Sequence, residues 1–164
     1  MLLAPEVLHQ HWDYNIWATN RLLTAAEQLS PEELTRDFKT ADNSVLETLG
    51  HVFWSETIWL GRFKRVSAPR RPAKGAHDLD YYRQHWPLLH EEWRTYLSGV
   101  SDPTELLGYK DLKGQDWTHP IWVLLFHAVN HSTHHRGQVS GFLRAMGYIP
   151  PPLDLIAYHR QPSA

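Results

Sequence analysis

The chain has 164 residues, 42% of them hydrophobic and 21% charged, with a formal net charge of −2. That composition excludes a disordered chain and suits a single domain over residues 1–164 that buries its own core, while the charge balance speaks against a nucleic-acid partner. The absence of cysteine excludes disulfides, thiolate-held metal and thiol nucleophiles, and with no leader pattern and no apolar run near the ~20 residues that cross a bilayer, no membrane association and a cytoplasmic location are expected.

In chain order, Leu8, Trp12, Ile16, Leu22, Leu23 and Ala26 recur at helical spacing and predict a first helix over about Pro5–Leu29. Ser30-Pro31-Glu32-Glu33 restarts a short helix, with a capping serine, proline at the first helical position and acids in the first turn. Phe38–Asn43 reads as a loop. Ser44-Val-Leu-Glu47 has the spacing of a capping box and opens a second long helix to about Lys64. Val66–Ala76, rich in proline and basic residues, reads as a loop. The basic residues Arg62, Lys64, Arg65, Arg70, Arg71 and Lys74 read first as a solvated region and second as an anion site.

A third helix is expected over about Asp78–Leu97, kinked or split at Pro87. Tyr109–Trp117 has the outline of a small hairpin around Gly114. The last long helix is expected over about His119–Met146, stopped by Gly147 and Pro150-Pro151-Pro152, and Leu153–Tyr158 forms a short apolar tail that packs back. Four long helices predict an all-α fold, a four-helix bundle. The eight tryptophans are read as core material.

Twelve histidines are many for this length, and four of them fall at 127, 131, 134 and 135 on the last helix. Residues three or four apart share a helix face, so the pairs 127/131, 131/134 and 131/135 all have the spacing to bind one metal ion. Direction separates them. Ile121, Leu125, Ala128, Val129, Val139, Leu143 and Met146 cluster on one side of the helical wheel, with His135 roughly 60° and His131 roughly 100° from its middle. His127 and His134 lie further round, at about 140° and 160°. The pair best placed to look into a bundle is therefore His131 and His135. A third ligand must come from another helix, and periodicity does not supply it. His51 lies away from the main apolar side of the second helix, and Glu47, Glu56, His9, His11 and Asp13 stay open on chemistry. A di-iron carboxylate site would need two Glu-x-x-His motifs, and only Glu6-Val-Leu-His9 has that spacing.

Tyr14-Asn-Ile-Trp17-Ala-Thr-Asn20-Arg21, Ser44-x-x-x-Thr48-Leu49-x-His51, Asn130-His131-Ser-Thr-His134-His135-Arg136-Gly137-Gln138, Leu143-Arg144-x-x-Gly147 and Pro-Pro-x-Asp154-Leu-Ile-x-Tyr158 together resemble the DinB/YfiT family of bacterial four-helix proteins over nearly the whole chain. The resemblance implies a metal triad of one histidine on the second helix and an H-x-x-x-H pair on the fourth. Carried over by motif, these are His51, His131 and His135. It also implies a homodimer, and activities of two kinds: S-transfer with a low-molecular-weight thiol such as bacillithiol or mycothiol, or metal-dependent hydrolysis.

Three imidazoles leave one or more positions on a divalent ion (zinc, nickel, iron or manganese) open to a water or a thiol. With no cysteine in the chain, a thiol would be an external cofactor acting on a small-molecule substrate. A non-catalytic, stress-related metal-binding protein is the alternative, since no general base stands out. Glu56 is the best carboxylate for that role, and a structural pairing suits it better. Gly137 is expected to allow close helix approach, and Gln138 to hydrogen-bond a neighbour.

Overall fold

The structure, a computed structural model, describes residues 3–67 and 70–161. Residues 68 and 69 of the expected basic loop, and the outermost ends of the expected 1–164 domain, lie outside the described residues.

Helix α1 covers Pro5–Ala26. It stops short of Leu29 because the chain tightens into a final turn, with Gln28 N–H donating to Ala25 O and Leu29 N–H to Ala26 O, which leads into the Ser30 cap. Helix α2, Pro31–Thr35, carries a complete capping box between Ser30 and Glu33. Helix α3 covers Val45–Phe63. Its expected capping box is only half made. Ser44 Oγ accepts from Glu47 N–H at 3.2 Å, but the Glu47 carboxylate is drawn away to the Gly75 N–H at 2.6 Å.

Helix α4, Leu79–Ser98, is capped by Asp78 and runs through Pro87 without the expected division. Proline removes one intrahelical bond. Here the freed carbonyl is that of Arg83, which like Pro87 faces solvent, while Trp86, Leu89 and His90 anchor the same stretch in the core. The hairpin expected around Gly114 is present, as strands β1 (Leu106–Lys110) and β2 (Asp116–Pro120) paired antiparallel. Gly114 takes φ +82 in its tip, a conformation open to glycine. Because β2 absorbs His119 and Pro120, the last long helix, α5, begins only at Ile121 and ends at Ala145. Gly147, at φ +90, terminates it, and Tyr148 N–H returns to Leu143 O at 2.9 Å, the bond pattern of a Schellman stop. The short α6, Leu155–His159, packs back on α1: Tyr14 Oη donates to Leu153 O at 3.0 Å, and the Tyr158 ring lies 5.7 Å from that of Trp17.

The four long helices form a bundle in which α1 packs against α4 and α5, and α3 against the same two. The helices α1 and α3 therefore stand on a diagonal. The core holds Trp12, Trp86 and Trp93, all fully buried, with the rings of Trp12 and Trp93 4.5 Å apart. Trp117 and Trp122, in contrast, are exposed. Among the described residues no helix is long and apolar enough to cross a membrane.

The bundle also buries charge. The Glu56 carboxylate is 1% exposed and Arg136 2%. Oε1 of Glu56 accepts from Asn15 Nδ2 at 2.8 Å and from Ser132 Oγ at 2.9 Å, and Oε2 from Trp86 Nε1 at 2.7 Å. Asn15 then bridges to Arg136, whose Nη1 donates to Asn15 Oδ1 at 2.6 Å. Burial alone would raise the Glu56 pKa, but His90 at 3.6 Å and the donors Asn15 and Trp86 outweigh it and hold the group below the usual glutamate range.

Candidate metal centre

Helices α3 and α5 are neighbours, and their facing sides bring three imidazoles together. His51 comes from α3, His131 and His135 from consecutive turns of α5. Each offers a ring nitrogen within 4.8 Å of the others, the arrangement that could hold a metal ion. Ring centroids lie 4.9 Å apart for 51/131, 4.3 Å for 51/135 and 4.5 Å for 131/135. Among the described residues this is the one such cluster, so His9, His11, Asp13, Glu47 and Glu56 are not part of it. Asp13 instead pairs with Arg94, and the ring of His11 packs on Phe126 at 4.4 Å.

The order of burial along α5 follows the wheel. His135 is buried, His131 half-buried, and His127 and His134 exposed. The wheel was least favourable to His51, yet its ring is half-buried and faces α5. A bundle helix has two neighbours, so a residue off the main apolar stripe can still point inward.

The donor set fits an ion. Nε2 of His51 and Nε2 of His131 are 3.1 Å apart. Two imidazoles bound to one ion at roughly 2.0–2.1 Å and a tetrahedral angle hold their nitrogens about 3.3 Å apart. Nδ1 of His135 faces Gln138 Oε1 at 2.8 Å, which leaves its Nε2 for an ion and fixes the ring, as partners behind metal-bound histidines do. This is the neighbour bond expected of Gln138. Burial, reinforced by the imidazoles of His135 and His51, pushes the His131 pKa down to about 4. Burial likewise lowers that of His51, against the opposing pull of Asp42. Both rings are thus neutral near pH 7, the form that ligates metal.

Asp42 was not singled out in the sequence, because it sits in a segment read only as a loop. It is 7% exposed. Its Oδ1 lies 3.9 Å from Nδ1 of His51 and its Oδ2 3.9 Å from Nδ1 of His135, too long for hydrogen bonds but close enough for charge to act. Arg71 Nη2 donates to Asp42 Oδ1 at 2.9 Å. The turn that sets Asp42 there depends on Asn43 at φ 62, a left-handed conformation that asparagine tolerates. Gly137 does not have its expected role. A Cβ there would meet nothing within 4 Å, because the position faces solvent. The close approach is at Gly50, where a Cβ would strike the Tyr82 hydroxyl.

Beside the triad, α3, α4 and the 70–77 segment enclose a cavity of about 390 Å³, and of the three histidines His51 lines it. Its segment is tied down around the site by Glu47 to Gly75, Arg71 to Asp42, and Lys74 Nζ to Ala41 O at 3.3 Å.

The model of the DinB family matches residues 5–163. Protein DinB of Bacillus subtilis (strain 168) is 23% identical over 155 residues, covering 90% of this chain and 90% of that protein. The chain belongs to the DinB family.

Proposed function

We propose that this DinB-family chain holds one divalent metal ion on His51, His131 and His135 and uses it to activate a low-molecular-weight thiol, supplied from outside, against an electrophilic small molecule. The observation that carries this reading is the meeting of three imidazoles from two helices, one of which, His51, lines a cavity. Three protein ligands leave a position open, whereas structural zinc sites close it with a fourth. An ion so held supplies Lewis acidity, easing loss of the proton from a thiol or a water that reaches it.

The protein's own part is positioning. Gln138 orients His135, and Asp42 sets a negative charge behind His51 and His135 that favours a cation between them. Phe53, Trp54 and Tyr82 line the adjoining space and keep water from a molecule lodged there. Glu56 takes no part as a base, since both of its oxygens are engaged inside the bundle. The chain lacks cysteine, so sulfur chemistry requires the external thiol.

Metal-loaded protein is incubated with a panel of low-molecular-weight thiols and an electrophilic acceptor. Turnover that needs the thiol and vanishes in His131→Ala supports the reading. Turnover without thiol makes water the nucleophile and the protein a hydrolase. No rate above the variant with any thiol rejects both.

A further inference from the structure

We propose that the cavity beside His51 takes a small organic anion with a flat, ring-bearing body, the ring lying among Trp54, Phe53 and Tyr82 and the anionic group reaching Arg70 and Arg71. This names a substrate class for the centre above and rests on that reading for its catalytic meaning.

Size is the first argument. About 390 Å³ falls in the range of small-molecule sites. The second is the wall. The Phe53 ring stands 5.5 Å from that of Tyr82 and 6.1 Å from that of Tyr81. Tyr81 is itself clamped between His77 and His85, with centroids 3.7 and 3.9 Å away and planes within 9° and 18° of parallel. The wall is therefore stiff, and because the Phe53 plane is inclined 80° to Tyr81 and 58° to Tyr82 it offers ring faces and edges together, as an aromatic guest prefers. Trp54 adjoins both the histidine and the arginine, its ring 6.4 Å from that of His51 and 5.5 Å from the Arg71 guanidinium carbon. Its buried Nε1 has no hydrogen-bond partner among the described residues.

Charge is the third argument. Two acids line the cavity, Glu47 and Glu92, and both are engaged: Glu47 accepts the Gly75 N–H at 2.6 Å, and Glu92 accepts from Lys64 Nζ at 2.6 Å. The cations are less committed. Arg71 shares one nitrogen with Asp42 while 41% of its side chain is exposed, and Arg70 is exposed at the rim. A guest therefore finds the exposed guanidiniums of Arg70 and Arg71 beside the aromatic rings, with His51 on the far side of the Asp42 carboxylate that Arg71 holds. The basic residues of this stretch serve as an anion site at Arg70 and Arg71.

The test is calorimetric titration of the full chain, metal-free and metal-loaded, with 2-naphthoate, 2-naphthamide (the ring without the charge) and octanoate (the charge without the ring). Naphthoate is expected to bind best in both forms. Arg70→Ala should weaken it about threefold to fivefold, the size of one partly exposed charge contact, and leave naphthamide unchanged. Trp54→Ala should weaken both ring compounds. Equal binding of all three probes, no binding of naphthoate, or naphthoate binding indifferent to Arg70→Ala overturns the proposal. Metal content measured on the same samples separates the readings: Arg70-dependent naphthoate binding by a chain that takes up no metal sustains this inference and sinks the metal-dependent one.

Discussion

Nε2 of His51 on α3 and Nε2 of His131 on α5 lie 3.1 Å apart although 80 residues separate them in sequence. Two imidazole nitrogens at that distance either share the proton of one neutral ring in a hydrogen bond or hold an ion between them, and the burial that pushes His131 down to about 4 keeps that ring in the neutral form both arrangements need.

Acid should therefore loosen the metal-free protein. An unfolded His131 takes its proton near its ordinary value of 6.5, the folded one only near 4. Between those limits the unfolded state binds more protons, so stability falls as pH falls through that window and is flat, for this group, above it. Denaturant midpoints in the presence of chelator, followed from neutral to acid pH, should show this slope. His131→Asn should flatten it.

Asp42→Asn keeps the shape of the turn but removes the charge behind His51 and His135. Metal affinity, read by chelator competition, should fall about 10-fold or more, the size of one partly screened charge a few ångströms from a divalent cation. Thermal unfolding of the metal-free protein should change far less.

Glu56→Ala leaves the Arg136 guanidinium buried without its carboxylate, a loss expected to cost about 3–5 kcal/mol in urea unfolding. Replacing both charges, Glu56→Leu with Arg136→Met, should recover only the part due to the uncompensated charge, because the donors Asn15 Nδ2, Trp86 Nε1 and Ser132 Oγ stay without that acceptor.

Gly50→Ala puts a methyl group against Tyr82, whose Cζ would lie 3.1 Å away. The expected cost is about 1–3 kcal/mol of overpacking, measured by denaturant unfolding. Removing the hydroxyl in Gly50→Ala/Tyr82→Phe should restore part of it.

Much of this was legible in the sequence, for identifiable reasons. Apolar periodicity placed the four long helices, and the capping residues Ser30 and Ser44 marked two helix starts. The wheel put His135 innermost, then His131, then His127 and His134, and the bundle buries the first, half-buries the second and exposes the last two. The helix does not divide at Pro87, one of the two outcomes expected there, because Trp86, Leu89 and His90 hold that turn by tertiary packing. His51 was legible only through the family motif, since one apolar stripe cannot describe a helix with two neighbours. Asp42 was hidden altogether. Loop residues carry no period, and its position depends on a left-handed turn at Asn43 and on Arg71, which lies far along the chain.

Metal stoichiometry after reloading tests the central claim most directly. Protein stripped with chelator is incubated in turn with zinc, nickel, iron(II) and manganese, passed through a desalting column and analysed by plasma mass spectrometry beside His51→Ala, His131→Ala and His135→Ala. The account predicts one equivalent of at least one of these metals in the wild-type chain and a large loss in each variant. A wild-type chain that retains none of the four, or variants that retain as much as wild type, would contradict it.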